Sequence, residues 1–126
     1  MESEQTTILV ADDEPAIRLL CRVNLEFEGY RVLEAGTLQA ARDELDREDV
    51  DVLLIDVRFG EHDGRDLVRD LRAQGSALPV ALLTGSVTLR ADERGGADDL
   101  IEKPFALETL LGTVRRLESG VYANEK

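Results

Sequence analysis

Short apolar runs alternate with helical patterns along this chain. The runs are Thr7–Ala11, Arg31–Glu34, Val52–Val57, Pro79–Thr84 and Asp99–Ile101. Between and after them lie Pro15–Glu28, Leu38–Arg47, Arg65–Gln74, a weak Val87–Arg94 and Ala106–Glu118. Spacing identifies the helices. Leu67, Val68 and Leu71 recur at i, i+1 and i+4, while Leu107, Leu110, Leu111, Val114 and Leu117 line one face. Gly29, Gly75 and the pair Gly95–Gly96 follow helical patterns, where C-caps belong. The runs VLLID and VALLT are apolar at successive positions instead of alternating. That predicts strands covered on both faces, hence a parallel sheet with helices on each side. Five strands alternating with five helices predict a doubly wound α/β domain.

Two helical segments stand apart. SVTLRADERGG has few apolar residues and several charges, so the fourth helix is expected to be short and loosely held. The first has apolar positions to spare. Ile17, Leu20, Cys21 and Leu25 suffice for a core face, and Ala16, Leu19, Val23 and Phe27 form a second stripe beside it. That stripe is either a wide core flank or a docking surface for a partner helix. Residues 119–126 lack apolar periodicity and are expected to fray, leaving one domain over 1–126 with its core at 6–118.

Composition narrows the function classes. At 126 residues the chain can bury one real core, and 43% apolar with 33% charged residues is ordinary for a globular protein. A net charge of −12 argues against nucleic acid and against an anionic membrane surface as partners. No apolar run approaches the ~20 residues of a membrane span. MESEQTT lacks the basic and apolar regions of a secretory signal, so a cytoplasmic location is expected. The single cysteine, Cys21, falls among apolar residues at helical spacing and reads as a small buried hydrophobe.

Chemistry concentrates where strands end. In a doubly wound sheet, ligands bind at the carboxyl ends of the strands near the switch in chain order. The first strand ends in Asp12 and Asp13, the third in Asp56, the fourth in Thr84, and the fifth runs into Lys103–Pro104. Each has a bland explanation alone: a helix cap, a turn residue, a strand-end β-former, a solvated charge. Together they make a chemical kit. Converging carboxylates raise one another's pKa unless a cation compensates, and a hard ion such as Mg2+ is the natural occupant. Carboxylate, hydroxyl and ammonium groups beside such an ion suit phosphoryl transfer, with a carboxylate as nucleophile.

The segments VADDEP, LLIDVRFGEHDG, ALLTGS and GADDLIEKPF, in this order, resemble the receiver domain of bacterial response regulators. The likeness covers residues 6–118. It implies a flavodoxin-like sheet of strand order 2-1-3-4-5 and a two-component signalling switch that catalyses only its own phosphorylation and dephosphorylation. It implies Asp56 as phosphoacceptor, with Asp13, Asp56 and the Arg58 carbonyl binding a magnesium ion and Asp12 acting through a bound water. Lys103 is implied to pair with the phosphoryl group, Thr84 to be the switch hydroxyl, and the Lys103–Pro104 bond to be cis. The implied partners are a histidine kinase or histidine phosphotransferase protein. Switching would alter a homodimer or a downstream effector through the face of the fourth helix, fifth strand and fifth helix.

Several positions depart from the receiver pattern. Leu100 stands where receivers commonly place Tyr or Phe, so either the aromatic coupling is absent or signalling uses backbone shifts of the fourth helix. Gly60 replaces a common Pro, which predicts a more mobile loop. Arg58 places a cation that reaches the phosphoryl group or Glu14, or is solvated. Glu14 is a helix-start bystander unless Arg58 finds it. His62, the only histidine, has no companion ligands. Two other functions compete: a receiver-like interaction module with little or no use of phosphate, for which Leu100 is the support, and an aspartate-nucleophile hydrolase. The hydrolase is disfavoured by adjacent acids where a spaced DxD is needed, and by the lack of a cap insertion.

Overall fold

A computed structural model describes residues 5–85 and 89–120 of the chain. The five main strands are β1 (Thr7–Ala11), β2 (Arg31–Ala35), β3 (Val52–Asp56), β4 (Val80–Thr84) and β5 (Asp99–Glu102). They form one sheet of order β2-β1-β3-β4-β5, parallel throughout. Four α-helices are described: α1 (Pro15–Phe27), α2 (Leu38–Arg47), α3 (Arg65–Ala73) and α4 (Leu107–Ser119). The expected fold class and strand order are both observed.

The continuous apolar runs are explained by two cores, one on each face. Along β1 and β3, Ile8, Val10, Val52 and Leu54 pack with Cys21 and Leu25 of α1 and with Leu110, Val114 and Leu117 of α4. The alternate residues Leu9, Ala11, Leu53 and Ile55 pack instead with Ala41 of α2 and with Leu67 and Val68 of α3. Each strand thus has two buried sides, which is why its pattern does not alternate. Cys21 is fully buried, and burial pushes its thiol up to about 12, so it behaves as the expected hydrophobe.

Three expectations are corrected. The fourth helix is replaced, among the described residues, by one 3-10 turn over Ala91–Glu93; residues 87 and 88 of its expected span lie outside them. Leu89–Arg94 offers no apolar stripe to bury, so nothing repays extension into a helix. Side chains from α3 hold this segment instead: Arg65 Nη1 donates to the Glu93 carbonyl at 2.7 Å, and Arg72 Nε to the Gly96 carbonyl at 2.9 Å.

Second, Leu20 is not a core residue. Leu20 at 44% exposure joins Leu19 at 59%, Val23 at 55% and Phe27 at 87% in an exposed stripe on α1. The second stripe is therefore no core flank. Third, Ser119 lies within α4, and Gly120 ends that helix in the left-handed conformation, φ 84°, that a C-cap glycine supplies without strain. The rest of the expected frayed tail, 121–126, lies outside the described residues.

Fully buried Leu54 and exposed Phe27 provide a contrast. Leu54→Ala is expected to lower the unfolding free energy by about 2–5 kcal/mol through transfer and cavity costs. Phe27→Ala is expected to stay within about 0.5 kcal/mol of the parent. Urea denaturation followed by circular dichroism checks both.

Candidate functional site

Sheet order brings the expected residues together. β1 and β3 are hydrogen-bonded neighbours with Ala11 opposite Ile55, so Asp12 and Asp56, one residue further on, emerge side by side. Thr84 closes β4, and the Lys103 N–H donates to the Thr84 carbonyl at 2.7 Å, which brings the lysine to the same edge. The Lys103–Pro104 bond is cis, as expected. Asp12 is 0% exposed, and Asp56 and Thr84 are also buried.

One ammonium group unites the acids. Lys103 Nζ lies 2.8 Å from Asp12 Oδ2, 3.2 Å from Glu14 Oε1 and 3.3 Å from Asp56 Oδ2. Backbone donors take the opposite oxygens: the Glu14 N–H donates to Asp12 Oδ1 at 2.9 Å, and the Arg58 N–H to Asp56 Oδ1 at 3.2 Å. Each buried carboxylate is thus tied to its own turn by one oxygen and turned toward the lysine by the other. Burial, then repulsion by Asp12, pushes Asp56 up from 3.8 to about 6, with Lys103 opposing the rise. Burial works against the charge on Lys103, but Asp12, Asp56 and Glu14 outweigh it and hold the ammonium above its ordinary range.

The acids also fit a cation. Asp12, Asp13 and Asp56 each offer an oxygen within 4.8 Å of the others, an all-oxygen donor set suited to a hard divalent ion. Asp12 Oδ2 is buried and accepts no hydrogen bond of good geometry; its short approach to Lys103 is an ion pair only, which leaves lone-pair capacity for a metal. Asp13 and Asp56 line an open cleft of about 830 Å³ together with Glu14, Arg58, Thr84 and Lys103.

The loop after Asp56, expected to be more mobile because of Gly60, contains local pairing. It closes as a short hairpin, Arg58–Phe59 against His62–Asp63, and the Gly60 N–H donates to Asp13 Oδ2 at 3.0 Å. Phe59, 1% exposed, anchors the hairpin in the α2–α3 core. Gly64 is required by close approach: a Cβ there would collide with the Asp56 carbonyl oxygen. The Arg58 side chain is exposed, and Glu14 pairs with Lys103, not with Arg58. His62 is exposed and joins no metal-type cluster among the described residues. Leu100 is half-buried against the α2–α3 core and borders a groove of about 510 Å³ shared with Arg94, Phe105 and Thr109.

Sequence reasoning placed Asp12, Asp13, Asp56, Thr84 and Lys103 correctly at the strand ends. It missed Glu14, whose partner is 89 residues away, as well as Phe59 and Gly64. It also missed Arg18, whose Nη1 donates to the Asp12 carbonyl at 2.8 Å while Nε donates to Glu34 at 3.1 Å. The apolar Phe59 between charged residues and the Gly64 just before a helix were the available signals for the loop.

The family described as Response regulator receiver domain matches residues 8–115. Response regulator MprA of Mycobacterium leprae is 42% identical over 113 residues, which are 87% of this chain and 50% of that protein. MprA of Mycobacterium tuberculosis is equally similar, with 49% of its length covered. The chain thus spans about half the length of the curated relatives it matches. Among solved structures, a CheY-like receiver domain from Methanospirillum hungatei superposes with a TM-score of 0.84 at 27% identity, covering 92% of this chain and 96% of that one. A response regulator from Thermotoga maritima gives 0.81 at 32% identity, covering 92% and 99%.

The raised pKa of Asp56 sets a pH dependence. A carboxyl whose folded pKa exceeds its unfolded value contributes stability below the unfolded pKa and loses it as pH rises through the folded one, here about 6. Ionised Asp56 therefore costs stability at neutral pH without a divalent cation. Asp56→Asn is expected to raise the unfolding free energy by about 1–3 kcal/mol at about pH 7.5, at about 1.4 kcal/mol per pKa unit. The gain is expected to fade by about pH 4 and to shrink when Mg2+ is added, as urea titrations at both pH values will read.

Proposed function

The chain belongs to the response regulator receiver domain family, and from that premise we propose that Asp56 is the phosphoacceptor of a two-component relay. One observation carries the assignment: Asp56 closes the central strand β3 between the acid at the end of β1 and the ammonium of Lys103. Its donor is a phosphohistidine on a kinase or phosphotransferase protein. As an Asp56 oxygen forms the new P–O bond the P–N bond breaks, and the departing imidazole leaves neutral with a proton from solvent. Attack of water on phosphorus later restores the carboxylate and releases phosphate. The protein is no enzyme toward other substrates.

This chain's residues divide the work. Asp12, Asp13, Asp56 and the Arg58 carbonyl form the Mg2+ site, with Asp12 acting through water. A bound Mg2+ supplies positive charge to the phosphoryl oxygens. Lys103 meets the same oxygens as a charged donor, and Thr84 supplies the hydroxyl that responds to them. Exposed Arg58 reaches over the phosphoryl group from the hairpin and alters its lifetime. The exposed α1 stripe of Leu19, Leu20, Val23 and Phe27 begins two helical turns from the acid pair and suits a helix of the phosphodonor.

Downstream, the groove beside Leu100 and the 3-10 turn form the output face toward a second copy or an effector. Leu100 lacks the aromatic ring that reports phosphorylation in many receivers, so signalling runs through backbone shifts of the segment around the 3-10 turn. The competing function, an interaction module without phosphate, draws its support from Leu100 alone. Intracellular placement follows from the same assignment.

Incubation with Mg2+ and a small-molecule phosphodonor is expected to add one phosphoryl group by intact mass, and none to Asp56→Asn. An unmodified parent protein, or an equally modified Asp56→Asn, overturns the assignment in favour of the phosphate-independent module. Arg58→Ala is expected to change the dephosphorylation rate by about two- to tenfold, the range of a partly exposed charged contact; an unchanged rate removes Arg58 from the site.

A further inference from the structure

Glu14 has no part in the donor set that fits the cation, although it directly follows the acid pair. Its carboxylate points across the cleft to a residue of another strand. Glu14 Oε1 accepts from Lys103 Nζ at 3.2 Å, and the side chain is 61% exposed. The other two partners of that ammonium, Asp12 and Asp56, are buried. An ammonium has three N–H bonds; here one donates to Glu14 and one to Asp56, while Asp12 meets the same ammonium as a short ion pair.

These partners differ in what the lysine does with them. Asp12 is fully buried, and its loss from Lys103 would leave a desolvated charge with one partner fewer. Asp56 is the atom group on which the phosphoryl group arrives. Glu14 alone stands at the mouth, where water can take the lysine's place at little cost. It is the partner that Lys103 can surrender.

Resting on the phosphoacceptor assignment, the geometry points to Glu14 as a positioning residue that acts through Lys103. In the unphosphorylated protein it draws the ammonium toward the mouth and occupies one of its N–H bonds. A phosphoryl group approaching Asp56 brings at least one more negative charge and several acceptor oxygens, and it competes with Glu14 for that N–H. Glu14 thus sets how readily Lys103 engages the incoming group. Its negative charge at the mouth also repels anionic donors, so the two effects have to be separated by experiment.

Glu14→Gln removes both the charge and the strong contact. Glu14→Asp keeps the charge but is one methylene too short to hold Lys103 in the same place. With phosphoramidate and Mg2+, both variants are expected to take up the phosphoryl group about two- to fivefold faster than the parent, the factor that an exposed ion pair supports. The second readout needs neither metal nor phosphate. The Lys103 ammonium resonance, assigned with Lys103→Arg in the unphosphorylated protein, is expected to shift in both variants. Glu14→Asp behaving as the parent in rate and resonance, while Glu14→Gln is faster, reduces Glu14 to a charge effect and overturns the positioning role. Parent-like rates in both variants, with Asp56→Asn still refusing the adduct, overturn it while leaving the phosphoacceptor assignment intact. A parent protein that takes no phosphoryl group overturns that assignment instead, and the resonance then still reports whether the contact exists.

Discussion

A single ammonium held among acids at the sheet's edge is the constraint on which the rest of this structure depends. Asp12 and Asp56 sit almost without solvent at adjacent strand ends, and Lys103 is the cation that makes their company tolerable. A buried carboxylate without a partner neutralises itself by taking a proton. Asp56 goes part of the way, rising to about 6, because burial and Asp12 outweigh what one shared lysine returns. In the proposed role of nucleophile Asp56 would need a free lone pair, and Lys103, which opposes the rise in its pKa, favours the ionised form that has one.

Backbone pairing and backbone hydrogen bonds fix the geometry of this cluster. Parallel pairing of β1 with β3 sets Asp12 beside Asp56, and the bond from the Lys103 N–H to Thr84 sets the lysine opposite them. Asp12, Asp13 and Asp56 each receive a backbone N–H from Glu14, Gly60 and Arg58 respectively. These bonds hold each side chain by one oxygen and leave the other facing the cleft. The two apolar cores on either face of the sheet supply the rigidity that such a pinned arrangement requires.

The parts legible in the sequence are those whose cause is local. VLLID and VALLT announce two-sided burial by their composition, and a doubly wound sheet then has only one edge at which Asp12, Asp56, Thr84 and Lys103 can meet. Where the cause is remote, the sequence was silent or misleading. Leu20 fits a core face by spacing, yet the sheet and α4 cover only the arc through Cys21 and Leu25, so it lies outside. Glu14 looked like a helix-start charge because its partner follows 89 residues later. The fourth helix failed for want of an apolar stripe, a signal that was visible, but the arginines of α3 that hold the segment in its place were not. Gly64 has an ordinary helical φ of −60°, so only the position of the Asp56 carbonyl explains why it lacks a side chain.

The resting site is left undercompensated, and that is a functional property. Asp12, Glu14 and Asp56 share one ammonium, and Asp13 adds a fourth carboxylate to the same edge, so an added positive charge that meets these groups only in the folded chain would favour folding. A divalent cation held by Asp12, Asp13 and Asp56 would therefore link its binding to folding through the same carboxylates. Under the proposed function, a phosphoryl group on Asp56 would reverse the balance by bringing negative charge to the place where Lys103 is shared. The lysine would then have to share its charge with the new group as well, while two of its N–H bonds already donate to Glu14 and Asp56. Some contact must be released, and the one that costs least to release is the exposed one. The same scarcity of positive charge that raises the pKa of Asp56 thus makes the site responsive: a cluster with a cation to spare would have nothing to give up.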